Sequence, residues 1–321
     1  MTERVGASSP ADLSIASADE AILRLLGHLR DHKYRFITPT RSVHALVRRR
    51  RDASTEDALR DVFGWVRRVP PGVLPMALEQ SLLDAELLIP VAGKLLSRIR
   101  VSSVGDMLLA HSDPDVGRDA VFLGPDSYRY ARFLHQVLAD RPPADHALDI
   151  GVGAGAGGLT LLHHHLARRV TGTDINPEAL RFAGLNARHA GLALETDGSS
   201  GLPSTADRYD LIVANPPFIS GDNGATYRDG GGDYGSQLAL EWASASLERL
   251  TPGGRFILYT GAPVVGGVDR VRQALGGQAE RAAMSLTYEE IDPDIFGGLL
   301  HTEAYSNVER IAAVGAVITA R

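Results

Sequence analysis

Ala147-Leu148-Asp149-Ile150-Gly151-Val152-Gly153-Ala154-Gly155 decides the fold. An apolar run of strand length passes directly into three glycines at alternate positions, and a helical pattern follows. Glycine lets the backbone turn tightly and come close to a ligand with no Cβ in the way. A strand, a glycine loop and a helix in that order open a parallel α/β unit. Outward from this point the chain alternates apolar runs with helical periods. Strands are expected at about 146–150, 169–174, 191–196, 209–215, 254–260, 279–287 and 308–318. Helices separate the first five, which implies a parallel sheet covered on both faces. The last two carry no helical signal between them and are expected to form an antiparallel pair.

The strand tips carry the chemistry. Gly151, Gly153 and Ala156 also satisfy the G-x-G-x-x-G/A pattern of dinucleotide sites, so the glycines alone leave the ligand open. Asp149 lies two residues before the first glycine, where a carboxylate reaches a cationic amino group, directly or through water. A pyrophosphate there would be repelled, which favours S-adenosylmethionine (SAM) over NAD. Asp174 ends the second strand and can accept both hydroxyls of a ribose, a feature common to the two ligands. Asp197-Gly198 follows the third strand, either to bond an adenine amine or as a plain turn.

The fourth strand ends abruptly at Asp210-Leu211-Ile212-Val213-Ala214-Asn215-Pro216-Pro217-Phe218. Proline cannot donate to a sheet ladder, so pairing stops near Asn215. The Asn215 side-chain oxygen and the Pro216 carbonyl can accept the two N–H protons of a planar amide or aromatic amine, and Phe218 can stack on its face. Pro216 and Pro217 hold the backbone stiffly between them. An ordinary strand-to-loop turn would use the same residue types.

Taken in order, Asp-x-Gly-x-Gly-x-Gly, an acid, Asp-Gly and Asn-Pro-Pro-Phe, each after a successive strand, resemble the class I methyltransferases. The likeness is to their Asn-Pro-Pro-(Tyr/Phe) branch, of the methyltransferase small-domain type. That branch includes RNA base N-methyltransferases and release-factor glutamine methyltransferases. The resemblance covers about residues 120 to 318. It implies a Rossmann-like, seven-stranded, mostly parallel sheet with its last strand antiparallel, and SAM as cofactor. It places Asp149, Gly151, Gly153 and Gly155 along the methionine moiety, Asp174 at the ribose and Asp197 at the adenine. Asn215, Pro216, Pro217 and Phe218 fall at the acceptor, and Asn215 and Tyr128 also join the cofactor set. Tyr259, on the same sheet edge, and Tyr227 and Arg228 are candidate substrate contacts. The implied reaction is methyl transfer to a planar nitrogen of an RNA base or a protein glutamine. A small-molecule N- or O-methyltransferase and, more distantly, an NAD(P)-dependent oxidoreductase are the alternatives.

At 321 residues the chain accommodates a catalytic domain, here 111–321, and an N-terminal, mainly helical domain, 1–110. Helices are expected from Ser17 or Asp19 to Arg30, from Pro39-Thr40 with Val43, Leu46 and Val47 facing inward, from Ser54 or Thr55, and from Pro75 to Leu88. Strands at about 97–103, 107–112 and 119–123 give a winged-helix-like cap for substrate recognition. Arg48-Arg49-Arg50-Arg51 either complements a helix dipole in solvent or meets an anionic substrate. Residues 1–110 carry 16 basic and 13 acidic side chains, and 111–321 carry 17 and 26, so a broad basic footprint for nucleic acid is missing. There is no cysteine, and no apolar run approaches the length of a membrane span. With no signal pattern at the N-terminus, the expected location is the cytoplasm. His163-His164-His165 cannot converge on one ion, because successive helical residues diverge, and no metal is expected. The stretch 227–235 is a slack connector or a mobile lid, and the carboxylates of Glu289–Asp294 are expected in solvent, one of them available to a substrate cation.

Overall fold

The computed structural model describes residues 10–49, 57–113, 120–219 and 230–321, with side chains from Ser17 onward. The chain divides into two units, Met1–Val116 and Gly117–Arg321.

In the first unit, helices α1 (Pro10–Asp31), α2 (Arg41–Arg48), α3 (Ala58–Phe63) and α4 (Met76–Asp84) precede two antiparallel ribbons. Strand β1 (Leu88–Val91) pairs with β2 (Lys94–Ser97), and β3 (Ile99–Val104) with β4 (Met107–Ser112). Helix α1 buries Ile22, Leu25, Leu26 and Leu29, the stripe its spacing prescribes. The expected fourth helix stops four residues early, because Leu88-Ile89-Pro90-Val91 turns back through Ala92-Gly93 as a ribbon. Residues 120–123 form no strand. Helix α2 also departs from expectation. Val43 and Leu46 lie on its exposed face, while His44 is buried and stacks on Trp65 at 5.6 Å.

The second unit opens with α5 (Pro125–Leu138) and continues through β5 (Ala144–Ile150), α6 (Ala156–His163), β6 (Ala167–Thr173), α7 (Pro177–Ala190), β7 (Leu194–Asp197) and β8 (Tyr209–Ala214). After a single turn, α8 (Gly232–Gly235), come α9 (Gln237–Leu247), β9 (Leu250–Val265), the short β10 (Val268–Asp269), α10 (Arg270–Arg281), β11 (Ser285–Asp292) and β12 (Arg310–Thr319). The main sheet runs β11-β12-β9-β8-β5-β6-β7, with β10 paired to β9. Strands β7, β6, β5, β8 and β9 are mutually parallel, and β12 is antiparallel to both of its neighbours. The antiparallel end pair is therefore as expected, although residues 279–281 belong to α10 and β11 starts only at Ser285. Strand β9 is longer than its apolar run, because ten rungs with β12 extend it to Val264.

Alternation along the strands sorts the two faces. Leu148, Ile150, Ile212, Ala214, Phe256, Leu258, Val314 and Ala316 join Ala239, Ala243, Val271 and Leu275 of α9 and α10 in one core. Their neighbours face α5 and α6: Asp149 meets Tyr130, Tyr259 meets Asp126, and Gly315 lies beneath the Phe133 ring. Helices on both faces leave one way out for chemistry, the carboxyl edge of the parallel strands.

Candidate functional site

Register brings the predicted residues to that edge. Ile150 lies beside Thr173 and Ala214, and Thr173 beside Asp197, so Gly151, Asp174, Gly198 and Asn215 each leave the sheet one residue later. The glycine loop is tied down by Gly151 and Val152 amides donating to the Thr173 carbonyl at 2.9 and 2.8 Å. Gly151, Gly153 and Gly155 all have positive φ, at 72°, 54° and 92°. Only glycine holds that geometry cheaply. A Cβ added at Gly153 would meet nothing nearer than the Gly151 carbonyl at 3.9 Å, which leaves the loop open on that side.

Asp149 is placed beneath this loop rather than in it. It is 1% exposed, accepting the Gly158 amide at 2.6 Å and the Tyr130 hydroxyl at 3.1 Å. Burial pushes its carboxyl up to about 7, against the pull of those two donors. It therefore fixes the start of α6, and its reach to a ligand passes through the loop. Asp174 accepts the Gly153 amide at 3.0 Å and the Asn176 amide at 2.9 Å, and burial raises its pKa too. Each oxygen keeps a lone pair for a hydroxyl. Asp197 accepts both the amide and the hydroxyl of Ser199.

At the tip of β8, the Asn215 Oδ1 atom is buried and has no hydrogen-bond partner among the described residues. Pro216 is buried, while Pro217 and Phe218 are half-buried. The Phe218 ring lies against Gly261, where a Cβ would stand 2.6 Å from its Cδ2 atom. Any side chain at 261 would displace the ring. On its other flank Phe296 meets Phe218 at 5.6 Å between centroids and 62° between planes.

Tyr259, expected at the substrate, is fully buried instead. Its hydroxyl donates to Asp126 Oδ1 at 2.8 Å. Arg129 donates to the same oxygen at 3.3 Å and to Asp292 at 2.9 Å. Burial raises the Asp126 pKa, and the Tyr259 and Arg129 bonds oppose the rise. Asp292, expected in solvent with its neighbours, thus pins β11 to α5, and Glu290 pairs with Arg310 at 2.9 Å. Tyr128 stands in the first turn of α5, half-buried. Tyr227 and Arg228 lie outside the described residues, as does the lid or connector as far as Asp229.

Two participants escaped the sequence reading. A Cβ on Gly151 would lie 3.0 Å from the Trp242 ring, and one on Gly201 3.4 Å from its indole nitrogen. A lone tryptophan on an apolar helix reads as core, and nothing local reveals that it underlies the glycine loop. Phe296 follows a prolyl turn 78 residues after Phe218, too far for any pattern to link them.

Residues 120–260 match the family model of the methyltransferase small domain. That match makes the second unit similar to the class I methyltransferases. The match decides between the two ligands that the glycine pattern admits, in favour of SAM. Among similar proteins, the release factor glutamine methyltransferase of Cereibacter sphaeroides is 34% identical over 36% of this chain and 46% of its own length. The ribosomal protein uL3 glutamine methyltransferase of Neisseria meningitidis serogroup A is 32% identical over 28% of this chain and 33% of its own. This chain thus spans less than half the length of those two relatives. A Thermus thermophilus 16S rRNA N2 G1207 methyltransferase, solved with AdoMet and guanosine, aligns over 76% of this chain and 62% of its own, with 17% identity and a TM-score of 0.46.

Proposed function

We propose that this protein transfers a methyl group from SAM to a planar nitrogen, of an RNA base or of a protein glutamine. The unpartnered Asn215 oxygen carries the reading. A buried carbonyl oxygen without a donor costs on the order of 1–3 kcal/mol. Here it stands at a strand tip between the glycine loop and an aromatic ring, where an N–H of the acceptor meets it.

The residues present suit the cofactor. The open glycine loop would take the methionine end, Asp174 the ribose and Asp197 the adenine end, while Trp242 backs the loop. Bound SAM would supply an electrophilic methyl on its sulfonium, the sulfur–methyl bond breaking to leave S-adenosyl-L-homocysteine. Asn215 and the Pro216 carbonyl would accept the acceptor's two N–H bonds, raise electron density on its nitrogen and direct the lone pair, while Phe218 covers its face. No strong base is needed, since the proton leaves to water once nitrogen bears the methyl. The test is label transfer from methyl-tritiated SAM into an extract lacking the enzyme, by wild type and by Asn215→Ala. The expected result is label in RNA or protein from wild type alone, with SAM affinity equal by calorimetry. Undiminished transfer by the variant would overturn the acceptor assignment.

The named substrates of the relatives are components of translation, and no helix among the described residues is long and apolar enough to cross a membrane. Both support work in the cytoplasm on a translation component. The first unit would recognise that acceptor. Its α2 presents Val43 and Leu46 together with exposed Arg48 and Arg49, while Arg50 and Arg51 lie outside the described residues. Arg48→Glu with Arg49→Glu is expected to raise the acceptor KM and leave SAM binding alone; an unchanged KM would remove that role.

A further inference from the structure

Helix α2 turns a polar face inward and an apolar one outward. His44 is buried against Trp65, and Arg67 donates to the Val47 carbonyl at 3.2 Å. Leu46 lies roughly 200° around the helix from His44. It is 57% exposed, Val43 44%, and Ile37, in the segment leading into the helix, 58%. Seven large apolar side chains are exposed among the described residues, and these three of them fall within ten positions. Single exposed apolar residues are ordinary, whereas a cluster marks a contact surface. The cluster is also basic. Residues 32–49 include Lys33, Arg35, Arg41, Arg48 and Arg49 and no carboxylate.

The second unit carries the opposite surface. Gln237, Leu240, Glu241 and Ser244 stand at the three- and four-residue spacing that aligns side chains along one helix face. With Asp233 at their head and Gln278 of α10 beside them, they line a pocket of about 380 Å³. Gln278 donates to the Leu240 carbonyl at 3.0 Å, and its buried Oε1 atom has no hydrogen-bond partner among the described residues. Residues 230–248 include Asp233, Glu241 and Glu248 and no Lys or Arg. Carboxylates and amide oxygens around a leucine suit a guanidinium on an apolar stem. That is the chemistry α2 presents.

We infer that this pocket on α9 receives α2 of a second copy of this chain, and that two copies close into a reciprocal dimer. Leu46 and Val43 would lie on Leu240, with the arginines of α2 towards Asp233 and Glu241. Stable complexes bury upwards of roughly 1,200 Å², more than one helix of eight residues supplies. A two-fold pair makes the contact twice, and the second contact forms within the complex already made. The complementary charges set which surfaces meet. The pocket also adjoins the strand tip of Asn215. Gly235 packs against the Phe218 carbonyl, 2.5 Å from where its Cβ would stand, and the Gly230 amide donates to the Ile219 carbonyl at 2.9 Å. An α2 seated there would therefore serve its partner's acceptor site. This last step rests on the acceptor reading given above; the association does not.

The test is sedimentation velocity on the full-length protein across a concentration series, at low and at high salt. One variant reverses the basic side, Arg48→Glu with Arg49→Glu. Another reverses the acidic side, Glu241→Arg with Ser244→Arg, at two exposed helical positions. Wild type should reach a dimer and no larger species, with the dissociation constant raised about tenfold or more at high salt, where exposed charges are screened. Each variant alone should stay monomeric with a wild-type melting temperature, because like charges then face each other. An equimolar mixture of the two should dimerise again, since both of its contacts are complementary. Leu46→Ser should weaken the dimer at every salt concentration. A monomeric wild type, a variant that dimerises alone, no recovery on mixing, or a growing series of larger species would each overturn the inference. Activity is read separately. The Glu241→Arg, Ser244→Arg variant keeps its own α2 yet should show a raised acceptor KM; an unchanged KM would remove service to the partner's site and leave the dimer standing.

Discussion

The two halves of the carboxyl edge are built on opposite terms. On the half proposed for the cofactor, from β5 to β7, the acids at the strand tips are engaged: Asp149 by Gly158 and Tyr130, Asp174 by Gly153 and Asn176, Asp197 by Ser199. Those bonds shape the loop before any ligand arrives. On the half proposed for the acceptor, from β8 to β12, the Asn215 oxygen has no hydrogen-bond partner among the described residues, and Phe296 has left-handed backbone and is partly bare. Half the edge is a finished mould; the other half stores unfavourable groups, which on the proposed function an acceptor would relieve. A fold can keep both because each small local cost is set against a large common core.

The sharpest way to break the comparison is Asn215→Ala. Loss of a donor or acceptor aimed at the reacting group typically costs on the order of 100- to 1,000-fold in kcat. Removing an unpartnered buried oxygen should meanwhile leave the melting temperature level or higher. A clear fall in melting temperature would show that Asn215 is structural, like the aspartates opposite.

The cofactor side should respond to pH instead. A carboxyl raised to about 7 binds its proton more tightly folded than unfolded, so stability is greatest below about pH 4 for this group and falls as pH climbs to about 7. The expected span is a few kcal/mol, each pH unit corresponding to about 1.4 kcal/mol. Asp149→Asn keeps an acceptor for Gly158 and a polar partner for Tyr130. Its denaturant-derived stability should lack that decline between pH 4 and 7. An identical pH curve in the variant would mean that Asp149 is charged throughout.

Gly157→Ala probes the same mould sterically. Its methyl would lie 2.8 Å from the Asp149 carboxylate and 2.6 Å from the Tyr130 ring. Overpacking of this kind costs roughly 1–3 kcal/mol, and the melting temperature and SAM affinity should fall together. A stable variant with weak SAM binding would place the cofactor directly on Asp149. The smallest effect belongs to Trp242. With Trp65 in the other unit, it is one of two tryptophans, and SAM binding should change its fluorescence. The change should vanish in Trp242→Phe; a signal that persists would have to come from Trp65.

Much of the cofactor half was legible because its residues are local. Gly153 and Asp174 lie 21 positions apart on adjacent strands of one βαβ unit, and the loop, the acid and the helix cap at Asn176 follow each other in a fixed order. Asn215 and Phe218 were legible for a similar reason, since two prolines end a buried strand at a definite point. Tyr259 and Asp292 were misread. Their partners, Asp126 and Arg129, stand 133 and 163 residues away, and exposure cannot be inferred when the covering element is unknown. Val43 and Leu46 failed on the same ground, because a short amphipathic helix shows which residues share a face but not which face is covered.

By itself the sequence determined the parallel α/β core, the order of the strand tips and the residue types at each tip. Those follow from local periodicity, from proline's missing donor and from glycine's missing side chain. Tertiary structure alone decided which of those groups are already satisfied. It put Asp149 under the loop, closed Tyr259 behind Asp126, left the Asn215 oxygen bare and brought Phe296 to Phe218. Hydrogen-bond satisfaction and burial are properties of the packed whole, fixed only when strands far apart in the chain lie side by side.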